Sequence, residues 1–97
     1  MNAITQKPIN LKTGEKLEAG LPVISFDKNR PWVCSVQGKR ELPYCVKVSS
    51  AFICPDMTEL ESAVSDGVCE SVLGESVEPD GWDCHGSPSW LLALGLI

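Results

Sequence analysis

"CPDMTELESAVSDGVCES", residues 54–71, decides the fold. Met57, Leu60, Val64 and Val68 recur at helical spacing within it, and Val72 continues the series just beyond. At ~100° per residue these five side chains fall on one arc, which predicts an amphipathic helix that buries them. "TELE" (58–61) has the form of a capping box, in which the Thr58 hydroxyl takes an orphan backbone N–H and Glu61 reaches back to the cap. Gly74 supplies the C-terminal stop. The predicted helix runs from about 57 to 73, on the order of 25 Å, and Gly67 inside it costs about 1 kcal/mol relative to Ala.

Upstream of Pro55 the period changes from helical to alternating. "LPVISF" (21–26) is rich in β-branched and aromatic residues and closes on the turn-forming "DKNRP". "WVCSV" (32–36) puts Trp32, Cys34 and Val36 on one face, and "LPYCVKV" (42–48) aligns Tyr44, Val46 and Val48. Pro43 cannot donate to a ladder, so that strand begins there or lies at an edge. "AFIC" (51–54) reads as one more short strand. A hairpin or extended arm is expected over 8–20, turning at Thr13-Gly14. Downstream, residues 75–86 are a loop by their Pro, Gly and Asp content. In "SPSWLLALG", Ser87 reads as N-cap, Pro88 as the first helical residue and Gly95 as terminator. The expected fold is α+β: a small antiparallel sheet of three or four strands in the N-terminal half, packed with one amphipathic helix (about 57–73) and a short C-terminal helix (about 88–95). The whole of 1–97 forms one domain.

Of 97 residues, 43% are apolar and 22% charged, a globular composition that excludes wholesale disorder. The longest apolar run, "WLLALGLI", is too short to span a bilayer, so no membrane role is expected. The N-terminus carries no apolar leader, which points to the cytoplasm and to reduced cysteines. Charge is strongly segregated. Lys47 is the last base in the chain; residues 1–47 hold all eight bases and four acids, whereas 48–97 hold nine carboxylates and only His85. Folding either mixes these halves on one surface or leaves a unipolar face for a partner.

On the predicted helix Glu59, Asp66 and Glu70 share one side, and Glu75, Glu78, Asp80 and Asp83 extend the ridge past its end. Stability does not ask for this. Acids near a helix C-terminus oppose the macrodipole by roughly 0.3–1 kcal/mol each, and no base stands at i±4 to offset them. "EPDGWD" has neither the ligand spacing nor the bidentate Glu of a calcium loop. No pairing of carboxylates in a pocket is implied. A ridge aimed at a positively charged groove is the functional reading that remains, and Glu59 and Asp66 stand ~10 Å apart along the axis, Asp66 and Glu70 ~6 Å.

The five cysteines lack the close C-x2–4-C pairs of structural zinc sites, and they read as small buried residues. A zinc site would have to be assembled from Cys34 and Cys45 across the hairpin with Cys84 or His85. No cofactor is expected. "DCH" (83–85) does not make a Cys/His nucleophile pair, because neighbours in an extended chain point to opposite faces. "HGSPSW" lacks the second Gly of a nucleophile elbow. The chain is expected not to be an enzyme. Arg30 with Lys39 and Arg40 of "GKR" reads as solvated loop charge, without direct contact to nucleic acid. Trp90, Leu91, Leu92, Leu94, Leu96 and Ile97 are expected to close the core, with Trp82 packing nearby.

In its size, its acidic half (48–97) and its lack of an enzyme motif, the chain resembles the small inhibitors encoded by phages and mobile elements. It is most similar in character to the anti-CRISPR proteins that mimic DNA. The resemblance implies a basic nucleic-acid-binding partner such as a Cas surveillance complex, in the cytoplasm of a bacterial host, with Glu59, Asp66, Glu70 and their loop neighbours standing in for phosphates. The positive N-terminal half departs from that type and would face elsewhere. An antitoxin or immunity-type module carries the same ridge, and a small zinc-stabilised structural protein is the other alternative.

Overall fold

The computed structural model describes residues 3–39 and 41–97, so Arg40 of the basic loop lies outside it. The fold is α+β. The first hairpin pairs β1 (Ile9–Asn10) with β2 (Lys16–Leu17), opposing Ile9 to Leu17 with both side chains buried. Its turn closes through the Gly14 N–H on the Leu11 carbonyl (3.0 Å), with Gly14 at φ 87°.

An antiparallel sheet of three strands follows: β3 (Val23–Phe26), β4 (Val33–Gln37) and β5 (Pro43–Lys47), with β4 in the centre. Cys34 and Val36 point into the core and the residues between them outward, as period-2 alternation requires. Trp32 falls outside β4 and is exposed. β5 starts at Pro43 and forms an edge, both of which suit a residue that has no N–H to give. Ile24 is an extra residue in β3, between the pairs Val23↔Val36 and Ser25↔Ser35. That bulge resets the alternation, so that Val23 and Phe26, three apart, both turn inward; Phe26 stacks on Phe52 with ring centroids 6.4 Å apart.

The expected strand at 51–54 does not form. Val48–Ala51 is instead a single helical turn, α1, closed by the Phe52 N–H on the Val48 carbonyl. Ala51 and Phe52 are consecutive and both buried, a pattern that a strand with one solvated face does not provide.

The principal helix, α2, is Met57–Asp66 and ends well short of the expected 73. Its cap is Asp56, whose carboxylate accepts the Glu59 N–H at 2.8 Å; Thr58 is already inside the helix. Gly67 terminates it in the left-handed region at φ 70°, its N–H bonded to the Ala63 carbonyl. The predicted stripe is therefore only partly buried: Leu60 and Val72 are buried, whereas Met57 is 61% exposed, Val64 59% and Val68 55%.

Beyond Gly67 the chain forms a second hairpin, β6 (Cys69–Glu70) with β7 (Ser76–Val77). Gly74, at φ 89°, serves its turn rather than a helix end. The C-terminal helix, α3, is Trp90–Ala93, shorter than the expected 88–95, and Ser89 rather than Ser87 caps it by accepting the Leu92 N–H at 3.2 Å. Pro88 lies outside the helix, bridged to Trp82. Trp90, Leu91 and Ala93 join one continuous core with Leu60, Cys69, Phe52, Val36 and the first hairpin, while Leu96 and Ile97 stay exposed. No helix among the described residues is long and apolar enough to cross a membrane.

Candidate functional site

Glu59, Asp66 and Glu70 do not lie on one helix, since Glu70 belongs to β6. The ~6 Å axial spacing expected for Asp66 and Glu70 rested on a continuous helix and does not apply. The three carboxylates are nevertheless brought together. Gly67 turns the chain back, β6 packs beside α2, and all three acids line a single groove of about 480 Å³. Leu60, Cys69 and Trp90, each buried, form its apolar base, and Ser76 of β7 its far wall.

Glu59 sits in the first turn of α2, where the helix dipole favours it, and Asp66 at the last residue, where an exposed carboxylate costs roughly 0.3–1 kcal/mol. Among the described residues no base pairs with Asp66. Among the described residues the ion pairs are Arg30–Asp27 (3.0 Å) and Lys39–Glu18 (3.8 Å), both within the N-terminal half, and none of the nine carboxylates of 48–97 takes part in one.

The remaining acids divide. Glu75 and Glu78 line a neighbouring concavity of about 470 Å³ with Trp82 and Cys84, and Ser76 is common to both hollows. Asp80 is exposed and lines neither. Asp83 also borders the second hollow, but its carboxylate is engaged within the fold: it accepts the Ser71 hydroxyl at 2.8 Å, the His85 N–H at 2.8 Å and the Ser87 N–H at 2.9 Å. Asp83 therefore pins its loop, and because all three donors are neutral its negative charge stays beside Glu75 and Glu78.

The residues weighed as zinc ligands are kept apart. Cys34 pairs with Val46 and Cys45 with Ser35, so the two thiols project from opposite faces of the sheet. Cys34 is buried, and desolvation pushes its thiol up to about 12, aided by the nearby Cys45. Cys45 and Cys84 are exposed. Cys84 faces the hollow beside β7, whereas His85 faces a different one against β3, which also separates the two as a catalytic pair. No group of three metal-binding side chains converges among the described residues. Partial burial raises the Cys54 thiol more strongly than Lys7 lowers it, and the thiol donates to the Pro55 carbonyl at 3.4 Å.

The contribution of Trp90 to the groove base and of Ser76 to its wall is absent from the sequence reading, because both depend on the second hairpin. The available signal was Gly67 followed by β-branched Val68, then "LGES" as a turn. No protein-family model, curated protein or solved structure matches the chain.

Proposed function

We propose that this protein is a non-enzymatic inhibitor that presents the groove of Glu59, Asp66 and Glu70 to a basic DNA-binding channel. On this reading it acts in the manner of the anti-CRISPR proteins that block target-DNA recognition by a Cas surveillance complex. The observation that carries it is the convergence of three carboxylates from two separate elements on one concavity, in a half-chain without a lysine or arginine. An acid in a solvated face normally has mixed-sign neighbours, which serve solubility equally well. Among the described residues none of the nine carboxylates of this half forms an ion pair, and an acidic field of that kind steers a cationic partner rapidly and in a salt-sensitive way. Duplex DNA offers its binding proteins a negative charge every ~3.4 Å along each strand, and a rigid acidic face competes for the same Lys/Arg channel.

The test is affinity capture from a CRISPR-bearing bacterial lysate at ~50 mM and ~500 mM salt. Capture of a nucleic-acid-binding assembly at the lower salt, released by added duplex DNA, supports the proposal. Capture of a partner indifferent to both salt and DNA contradicts it, and a basic toxin captured in that way would move the chain to the immunity class.

A further inference from the structure

The three-stranded sheet ends on β5 with an edge that no strand among the described residues pairs. The opposite edge is bridged by Ile4 at Pro22 and by the Val23 N–H on the Ala3 carbonyl. Antiparallel pairing fixes which main-chain groups the β5 edge offers. The Gly38 N–H donates to the Leu42 carbonyl (3.0 Å) and the Val48 N–H to the Trp32 carbonyl (2.8 Å), so the even-numbered residues of this segment bond toward β4. Val33 and Gln37, which stand opposite Lys47 and Pro43, give their N–H groups to the Arg30 and Pro22 carbonyls instead (2.9 Å each). Pro43, Cys45 and Lys47 therefore turn their main-chain polar groups outward. Two groups drop out of that set. Pro43 has no N–H, and the Lys47 carbonyl, at the N-cap of α1, takes the first bond of that helical turn. What remains is the Pro43 carbonyl, both groups of Cys45 and the Lys47 N–H.

This remainder is self-complementary about a two-fold axis through Cys45. When β5 runs antiparallel to β5 of a second copy, with the two Cys45 residues opposite each other, the Cys45 pair exchanges both of its bonds. Each Lys47 N–H then meets the other copy's Pro43 carbonyl. The bond that such a pairing lacks is the one for which Pro43 has no donor and Lys47 no free acceptor. A foreign antiparallel strand would instead leave a carbonyl unpaired opposite Pro43 and an N–H unpaired opposite Lys47, which is how Pro and Lys at an edge keep other chains away. In the same register each Tyr44 stands opposite a Val46, an aromatic and β-branched pair, and each Lys47 lies diagonal to a Glu41 of opposite charge. Neither Glu41 nor Lys47 forms an ion pair within the chain among the described residues. We infer that the protein forms a two-fold dimer through its β5 edges, which joins the two three-stranded sheets into one. None of these residues lines the acidic groove, so the inference stands apart from the proposed function.

Sedimentation velocity of the full chain under reducing conditions, between micromolar and millimolar concentration, is the test, and a reversible equilibrium of monomer and dimer is expected. Lys47→Glu turns two diagonal attractions into repulsions and should weaken the dimer roughly tenfold. The swap E41K/K47E restores opposite charges across the axis and should return the affinity of the parent. Cys45→Pro removes the central outward donors without touching a bond to β4, and should weaken the dimer roughly tenfold or more. A chain that stays monomeric at millimolar concentration overturns the inference and leaves the edge to solvent. A dimer that Lys47→Glu leaves intact, or that E41K/K47E fails to restore, is built on another face and overturns it equally. Circular dichroism verifies the fold of each variant, and where Cys45→Pro does not fold, Lys47→Glu and its charge swap decide alone.

Discussion

Asp83 holds three donors from three residues, and Ser71, one of those donors, also accepts the Leu73 and Glu75 N–H groups at 3.2 Å through the same hydroxyl. One carboxylate therefore ties the 83–87 loop to the turn of the β6–β7 hairpin. Asp83→Ala is expected to lower stability by about 2 kcal/mol, because it leaves part-buried donors unpaired; urea unfolding measures it. Asp27 works on a smaller scale at the β3–β4 turn. The Asn29 N–H and the Arg30 side chain, accepted by its carboxylate, hold its pKa below 3.8. A depressed folded pKa means stability that is present above the unfolded value and lost as pH falls through the folded one. Asp27→Asn should accordingly be less stable than the parent at neutral pH, and the difference should close as pH falls below 3.8. Equal midpoints throughout would remove the Asp27 contacts from the account. Neither role is visible in composition or spacing, since an Asp in a loop reads the same whether it meets solvent or three donors.

Among the elements, α2 gives the sharpest contrast between what the chain spells and what it builds. Its N-terminal boundary was legible from Pro55-Asp56, although the cap fell to Asp56 and not to Thr58, two residues that are equally capable of accepting an N–H. Its end was not legible, because Val68 and Val72 continue the helical period while β-branched side chains serve a strand as well. Gly67 resolves the conflict in favour of the hairpin. At φ 70° with open space around the position of a Cβ, it is required for its backbone and not for close packing. Gly67→Ala tests this by sign. In a helix interior Ala would stabilise by about 1 kcal/mol; at a left-handed cap it should destabilise by about the same amount, as read by thermal unfolding. The strands were more legible, since alternation at Cys34, Val36 and Val46 is enforced by one buried face. The bulge at Ile24 and the helical turn at Val48–Ala51 escape such reasoning, because each inserts one change of period into a short segment.

Across the whole molecule, some 42 Å in its longest extent, the core joins both halves of the chain while the ion pairs among the described residues stay within the first. The candidate acidic groove was partly legible for that reason. An absence of bases over fifty residues is a property of sequence and survives any fold, so Glu59, Asp66 and Glu70 could be singled out together. Their meeting around one hollow has a different cause from the shared helix face that suggested it: the reversal at Gly67 carries Glu70 back beside α2. Asp83, equally acidic, also serves the fold by accepting the Ser71 hydroxyl and the Ser87 N–H, a second role that its sequence position does not reveal.

The proposed function depends on those three carboxylates acting as a unit toward a basic channel, and reversing two of them probes it most directly. Glu59→Lys with Glu70→Lys changes only exposed side chains, so circular dichroism should match the parent, while stability should fall by about 1 kcal/mol as Glu59 leaves the helix N-terminus. Affinity capture at ~50 mM salt should then recover none of the DNA-displaceable assembly that the parent protein retains. Undiminished capture by the folded double variant would contradict the account and reduce the acidic groove to ordinary solvated surface.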